Sequence, residues 1–545
     1  MRVVVVGAGI AGLATAGLLA REGHDVELLE RHDAPGGRAG SWERSGFRFD
    51  TGPSWYLMPE VFDHWFRLMG SSADRELDLV GLDPAYRVFF EGHGGAERPE
   101  PLDVSPDRAA NVAAFEAVEP GAGARLDRYL DSAHDTYALA LRRFLYTTFA
   151  SWRPFAHRDV VSRLHRLGPL LGRSLGSRVA ADFQDVRLRQ VLGYPAVFLG
   201  SSPDRAPSLY HLMSALDLDG GVRYPQGGFA RVVDAVAGLA VGAGVTLRTR
   251  ARATAITTTA VGTGPGAVRT GLPIPGPRRP RAVVTGVSWV DEAGHDRHAP
   301  ADVVVTAADL HHVEQDLLPP GLRDRSPGWW ARRDPGPGGV LVMLGVRGRV
   351  PQLAHHSLFF TDDWDANFGA IAEGRVPDPA SVYVCAPSRT DPTVAPPGHE
   401  NLFLLVPVPA DPGLGRGGED GAGDPAVERI ADDAIDRVAA WAGVPDLRER
   451  VVVRRTVGPG DFAADLSSWS GGMLGPAHTL RQSAMFRAGN RSRRVAGLLH
   501  AGGSTIPGVG LPMCLISAEL AVKRVRGDTT ADPLPETRPA LTPRK

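Results

Sequence analysis

Arg2-Val3-Val4-Val5-Val6-Gly7-Ala8-Gly9-Ile10-Ala11-Gly12-Leu13 opens the chain, and its reading decides the fold. Residues 2 to 6 are a continuous apolar run, the pattern of a strand buried on both faces. The glycines then fall at the spacing GxGxxG. The first suits a tight turn, the second lets backbone approach a pyrophosphate, and the third permits close packing of helix on strand. Residues 11 to 22 read as a helix, with Leu13, Ala16, Leu19 and Ala20 on one side. Its N-terminus would offer free N–H groups and the positive dipole end to phosphates. Residues 25 to 30 read as a second strand ending on Glu30, where a carboxylate can bind a ribose hydroxyl. Strand, glycine turn, helix, strand and acid are all in register, so the fold class is α/β with a Rossmann-like dinucleotide site.

A second glycine cluster, Pro35-Gly36-Gly37-Arg38-Ala39-Gly40, follows at once. The fingerprint alone does not separate FAD from NAD. A glycine pair here lets a loop fold over the pyrophosphate, and Arg38 can bond phosphate or flavin-side groups, which favours FAD. The turn from Ala501-Gly502-Gly503 to Gly510-Leu511-Pro512 precedes a helix expected over 512–525. That helix could point its N-terminus at the anionic edge of a reduced flavin.

The remaining organisation is read from pattern and punctuation. Residues 107 to 190 look mainly helical, and a helix (229–241) and strands (245–250, 302–306) come later. The stretch 262–282 is Pro/Gly/Arg-rich without periodicity and reads as an insertion in a β-hairpin. Residues 411–426 read as a Gly/Asp-rich loop. The tail after Gly527 reads as disordered. The chain of 545 residues holds 65 glycines and 45 prolines, an excess shared between the flavin turns and these loops. Net charge is −2, which argues against a nucleic-acid binder. Two cysteines, Cys385 and Cys514, cannot form a disulfide framework or a cysteine-rich metal site and point to a reducing cytoplasm. The N-terminus shows no secretory signal, and no apolar run is long enough to span a membrane.

The motifs GAGIAGL, PGGRAG and GFRFDTGPSWYLMPEVF resemble the bacterial and fungal type of phytoene desaturase, an FAD-dependent carotenoid desaturase family. Narrower motifs follow in the expected order: Tyr224-Pro225-Gln226-Gly227-Gly228, Ala307-Ala308-Asp309, Gln352-Leu353-Ala354-His355-His356, the run from Tyr383 to Pro392, Leu405 to Pro409, and Pro507 to Pro512. The resemblance covers residues 1 to 526. It implies FAD in a domain assembled from 1–75, 222–325 and 450–527. It implies a substrate domain of 76–221 and 326–449, with a helical membrane-associating part near 107–190. Carried over by motif, Gly7, Gly9, Ile10, Ala11, Gly12, Glu30, Arg31, Gly37 and Arg38 would hold FAD. Ala253 would sit by the adenosine half, and Gly503, Gly510 and Leu511 would line the isoalloxazine. Where many flavoproteins of this fold have Gly-Asp, this chain has Gly502-Gly503.

The implied reaction is desaturation of an acyclic carotenoid precursor such as phytoene. A polyene hydrocarbon has no acidic hydrogen, so hydride removal must come first. It leaves a delocalised cation whose neighbouring C–H is acidic. The flavin carries the hard step and the protein supplies position and a dry site. Asp159, with Arg163 one turn further on, is the carboxylate the resemblance places near a proposed acid/base position; a helix N-cap aspartate is the competing reading. The pairs His311-His312 and His355-His356 are read without a metal role, so no metal is expected. Alternatives within the fold are a carotenoid oxidase or ketolase, a polyene isomerase, and an amine or protoporphyrinogen oxidase. An amine site would want an aromatic cage or a lysine, and lysine occurs only at 523 and 545. Oxygen or a quinone is the expected electron acceptor.

An insoluble substrate implies access from the bilayer and peripheral membrane association. Residues 137 to 189 carry ten arginines against three aspartates, a local charge of +7. Phe144, Tyr146, Phe149, Trp152 and Phe155 are interleaved with them, which suits an interfacial helix. Trp329-Trp330 is a further candidate anchor.

Overall fold

A computed structural model describes residues 1–92, 98–151, 153–261 and 280–536. The opening strand, Arg2–Val6, lies in the middle of a parallel five-stranded sheet. Its neighbours are Asp25–Leu29 on one side and Val303–Thr306 on the other, with Thr246–Arg248 and Leu498–His500 at the edges. Side chains alternate across a strand, so one run of valines serves two layers. Val3 and Val5 pack into a helical layer built on Ile10–Arg21, Phe229–Gly242 and Leu511–Arg526. Val4 and Val6 pack the other way, against an antiparallel layer of Arg252–Ala260, Ala282–Val290 and Asp296–Pro300. The first helix is buried from Ile10 to Ala20, because it is wedged between the sheet and the two other helices.

A second, seven-stranded sheet forms the other half. Its order is Val451–Val457, Gly338–Arg347, His399–Val408, Val382–Cys385, His356–Phe360, Tyr86–Phe90 and Leu102–Val104. Alternation again sorts its residues. Val340, Val382, Val384, Leu404 and Val406 bury against the amphipathic helix Pro425–Trp441. Leu358 and Phe360 face the opposite way, into an aromatic core shared with a lobe of helices that runs from Arg108–Val118 to Pro195–Phe198.

Two expectations change. The strand Val451–Val457 hydrogen-bonds to Gly338–Arg347, so the chain leaves the second sheet after residue 457, not at 450. Residues 528–536 are packed, not disordered: Leu534 is 3% exposed, its N–H bonds Glu519, and the buried Lys523 amine bonds the carbonyls of Thr530 and Asp532. Residues 537–545 lie outside the described ones. The loop before Pro425 is closely packed, since a side chain on Gly417 would strike the carbonyl of Thr456 at 2.1 Å. The hairpin around the Pro/Gly/Arg-rich insertion is present as the paired strands Arg252–Ala260 and Ala282–Val290, while 262–279 lies outside the described residues.

Candidate active site

The glycine fingerprint works through what it leaves out. Gly7 takes φ +97°, a conformation that glycine tolerates at no steric cost. A Cβ on Gly12 would lie 1.8 Å from the Gly7 oxygen, so the helix can start against the turn only without one. Gly9 is the helix N-cap, with no side-chain cap, and a Cβ there would meet only the Gly36 oxygen at 3.8 Å. The helix end thus opens on free space with its first N–H groups available.

The second glycine loop closes over the first. Gly36 N–H donates to Ala8 O at 2.9 Å, and a Cβ on Gly37 would be 3.3 Å from Gly9 Cα. Glu30 is buried at the end of its strand and accepts from Ala8 N (2.8 Å) and His32 N (2.9 Å). Arg31 donates to Ser467 Oγ and Ala464 O. Arg38 reaches across to Met473 O (3.0 Å) and Ser468 Oγ (2.7 Å), with the buried Asp309 at 3.8 Å. Ala253 pairs with Trp289, two residues beyond Ala251, whose N–H donates to Glu30 O at 2.7 Å.

The turn at 502–510 lies over the start of the first helix. A Cβ on Gly502, itself at φ +102°, would be 3.4 Å from Ala11 Cβ. Gly510, φ +110°, caps the helix Leu511–Arg526, one residue earlier at its start than the sequence suggests. Residues not singled out from the sequence brace this turn. Buried Arg487 donates to Gly503 O, Thr505 O and Pro476 O, and burial lowers its guanidinium to about 10. Asn490, fully buried, donates to His500 O and Ile506 O. Both are ordinary polar residues in sequence; only their burial marks them. Gly7, Gly9, Ile10, Ala11, Gly12 and Glu30 thus gather around a cleft at the carboxyl end of the parallel sheet, with the Gly37 loop packed on Gly9 and the Gly502 turn on Ala11. The glycines leave the helix start open, which fits a dinucleotide.

From this cleft the chain runs directly to the second sheet. A Cβ on Gly52 would lie 2.0 Å from Arg38 O. Just before it, Asp50 caps the helix Phe229–Gly242 by accepting from Phe229 N (2.8 Å) and Ala230 N (3.2 Å), and burial raises its carboxyl to about 6. Just after it, Ser54 and Trp55 meet Tyr383 on the second sheet: Ser54 Oγ is 2.5 Å and Trp55 Nε1 3.1 Å from the phenol oxygen. Tyr383 also bonds His356 Nδ1 at 2.8 Å. His355 Nδ1 bonds Thr390 Oγ1 at 2.8 Å, and the next residue, Asp391, accepts from Gly227 N and Tyr224 OH. Burial pushes both histidines down, His355 to about 3 and His356 well below the usual imidazole value. Ligating atoms of His355, His356 and Cys385 lie within 4.8 Å of one another, a cluster to which the sequence reading gave no role.

Asp159 and Arg163 sit elsewhere, on the helical lobe. Asp159 pairs with Arg143 at 2.9 Å, which holds its carboxyl below the usual range, and Arg163 pairs with Asp135 at 3.1 Å. None of these partners belongs to the fingerprint or to the 502–510 turn.

Residues 10–526 match the family of flavin containing amine oxidoreductases. The carotenoid 3,4-desaturase of Haloarcula japonica is 38% identical over 95% of this chain and 96% of its own length. The phytoene dehydrogenase of Streptomyces griseus is 34% identical over 97% and 96%, and the zeta-carotene-forming phytoene desaturase of Myxococcus xanthus 32% over 96% and 93%. Among solved structures, putrescine oxidase shares the fold with a TM-score of 0.58 at 15% identity, covering 96% of this chain and 99% of that one. The chain therefore belongs to the flavin containing amine oxidoreductases, in their carotenoid and phytoene desaturase branch, and its cofactor is FAD.

Proposed function

We propose that the chain desaturates an acyclic carotenoid precursor, removing hydrogen from adjacent carbons of a phytoene-like polyene. The observation that carries this reading is the character of a pocket on the second sheet. A pocket of about 60 Å³ lies between the second sheet and its helical cover, lined mainly by apolar and aromatic side chains such as Leu358, Phe360, Trp364 and Tyr383, with Asn367 and Ser381. Such a wall suits a hydrocarbon and offers no anion to hold an amine. Lys523 gives no amine site either, since it is buried at the far end of the closing helix.

FAD, when bound, supplies the two-electron acceptor for a hydride. Gly7, Gly9, Ile10, Ala11, Gly12, Gly37 and Arg38 would hold its pyrophosphate, Glu30 and Arg31 the ribose side, with Ala253 beside the adenosine. Gly503, Gly510 and Leu511 would face the ring. The apolar wall keeps water from the carbon that becomes electron-poor, and the positive end of the helix Leu511–Arg526 favours anionic charge near the ring. Oxygen or a quinone would then take the electrons.

Peripheral membrane contact belongs to the same reading. No helix among the described residues is long and apolar enough to cross a membrane. Two of the aromatics read from the sequence as interfacial turn inward, Tyr146 at 4% exposed and Phe149 on the main core, while Phe144 and Phe155 are half-buried with centroids 5.5 Å apart. Trp152 lies outside the described residues, and Trp330 is buried. The exposed apolar residues of this lobe are instead Val161, Leu164 and Leu171, next to the arginine-rich surface.

The test is direct. Purified, FAD-loaded protein is given phytoene in liposomes, and new conjugated double bonds are read by chromatography and mass. Loss of two hydrogens per step separates desaturation from isomerisation. Amine turnover with phytoene untouched would overturn the proposal. The higher identity to the Haloarcula protein favours a second reading, action at the 3,4 bond of an already conjugated carotenoid. The same assay with lycopene distinguishes it.

A further inference from the structure

We propose that His355, His356 and Cys385 bind a zinc ion, the two histidines through Nε2 and the cysteine through its thiolate. The site lies in the second sheet and is independent of which polyene the protein takes. His356 and Cys385 are register partners on the antiparallel strands His356–Phe360 and Val382–Cys385. Partners in such a register share a face, so imidazole and thiol stand side by side. His355 lies at the bend before the first of these strands, and its ring centroid is 4.6 Å from that of His356. Its carbonyl accepts from Ala386 N at 2.7 Å, which ties the bend to the residue after Cys385. One ligating atom of each of the three residues lies within 4.8 Å of the others. Tetrahedral zinc, with bonds of about 2.0 Å to nitrogen and about 2.3 Å to sulfur, sets its ligands about 3.5 Å apart, which small side-chain rotations reach from here.

The hydrogen bonds around the cluster point to the same ligand. Both histidines are more than nine-tenths buried, at 5% and 0% exposed, and the Nε2 atom of each is without a hydrogen-bond partner among the described residues. Two orphaned ring nitrogens beside one thiol are costly in a packed core. Both Nδ1 atoms are engaged, that of His355 with Thr390 Oγ1 and that of His356 with Tyr383 Oη, each at 2.8 Å. A metal-binding histidine has this arrangement: one nitrogen turns to the ion while the other donates to an oxygen that fixes the ring. Zinc on Nε2 sets the tautomer. Nδ1 of His356 then donates to Tyr383 Oη, which also accepts from Trp55 Nε1 and donates to Ser54 Oγ, so the phenol's proton and both lone pairs are used.

The donor set selects the metal. Two imidazoles and a thiolate suit zinc, whereas calcium and magnesium take oxygen ligands. On binding, the S–H bond of Cys385 breaks, its electron pair goes to zinc and its proton leaves to solvent. Zinc at +2 and the thiolate at −1 leave a charge of +1, which a buried site must compensate. Two carboxylates supply that field, since the charge of Asp391 bears on His355 and that of Asp50 on Cys385. Asp391 accepts from Gly227 N and Tyr224 OH, and Asp50 from Phe229 N. The ion would therefore brace the second sheet against the segments around Asp50 and Gly227, which lead back to the first sheet. Three protein ligands leave the fourth position of the tetrahedron to water. No step of the desaturation runs through it.

The test uses the full-length, FAD-loaded protein. Stripped of metal by a chelator and titrated with zinc, it should take up one equivalent with a Kd below about 1 µM. X-ray absorption of the loaded protein should show nitrogen at about 2.0 Å and a single sulfur at about 2.3 Å. Cobalt in place of zinc should give thiolate-dependent visible bands at longer wavelength than the flavin. Cys385→Ser should lose those bands and the tight zinc site while keeping its FAD, and Cys514→Ser should retain both. Zinc should raise the thermal midpoint of the wild type and leave that of Cys385→Ser unchanged. The wild-type titration and absorption spectrum decide the matter even if Cys385→Ser fails to fold. Uptake of no zinc at this affinity, zinc bound without a sulfur ligand, or equal binding by wild type and Cys385→Ser overturns the proposal.

Discussion

The glycine cleft and the polar seam around Tyr383 are joined by one residue, Pro53, yet they are made of opposite materials. The cleft is backbone: it exists because Gly7, Gly9, Gly12, Gly36, Gly37 and Gly52 have no side chains where loops cross. The seam is side chain: a phenol, an indole, a hydroxyl and an imidazole converge in an apolar wall. The cleft therefore fails by addition and the seam by subtraction. An added Cβ faces backbone that cannot yield, whereas a removed ring leaves neighbours that partly relax.

The largest effect expected is at Gly12. A Cβ 1.8 Å from a carbonyl oxygen on a central turn has nowhere to go, so Gly12→Ala should move the first helix off its strand. The purified protein should be colourless, with FAD affinity reduced more than about 100-fold and stability down by about 4 kcal/mol or more. Retained yellow colour would break the contrast. Trp55→Ala comes next. It removes a ring with centroids 5.2 Å from Tyr86, 5.2 Å from Phe198 and 4.7 Å from His356, and should cost about 3 kcal/mol in chemical denaturation. FAD content should nevertheless survive, because no cleft glycine touches it.

Asp50 sits between the two regions and should give a pH signature. Its folded carboxyl titrates near 6 because it is buried, with Asp391 adding to the effect and Arg48 and the helix N–H groups opposing it. Unfolded, it titrates near 4. Both states are protonated below that value. Between about 4 and 6 the unfolded chain releases its proton while the folded chain holds it, so this group's contribution to stability falls as pH rises through that window and is constant above it. The full loss is about 2 to 3 kcal/mol. Asp50→Asn should remove that slope. Denaturation midpoints of wild type and variant that run parallel from pH 4 to 7 would show that Asp50 is not the group responsible.

The same contrast explains what could be read in advance. Gly7, Gly9 and Gly12 act within a few positions of one another in the chain, so spacing alone carries their geometry, and Glu30 ends the next strand where the pattern puts it. The seam joins Ser54 to Tyr383 across 329 residues and Tyr383 to His356 across 27, and no residue type in it is unusual. Tyr383 and Cys385 stand in one motif and His355-His356 in another, but only the strand order brings these segments together. Arg487 and Asn490 escaped notice for the same reason. The tail misled differently: residues 528–536 are rich in polar residues and proline, and a single leucine, Leu534, docks them.

The smallest effect on stability, and the clearest separation from both regions, is expected on the helical lobe. Leu164 and Leu171 are about half exposed, at 56% and 47%, and bury little against their own chain. Replacing both with serine should change stability by less than about 0.5 kcal/mol. If these side chains enter the headgroup region, each forfeits about 1 kcal/mol of apolar transfer. Two of them correspond to a roughly 30-fold weaker partition onto vesicles. The arginine-rich surface adds a component that salt screens. Anionic vesicles should therefore bind wild type more tightly at low ionic strength, and the serine variant should keep that salt dependence at a lower overall affinity. Flavin content should be unchanged, since neither leucine is among the residues that form the cleft. Activity on a detergent-dispersed polyene should be unchanged too, while activity on a polyene held in liposomes should fall with binding. Equal vesicle binding by wild type and variant would move the membrane contact away from this lobe, to the other exposed apolar group at Leu480, Met485 and Phe486.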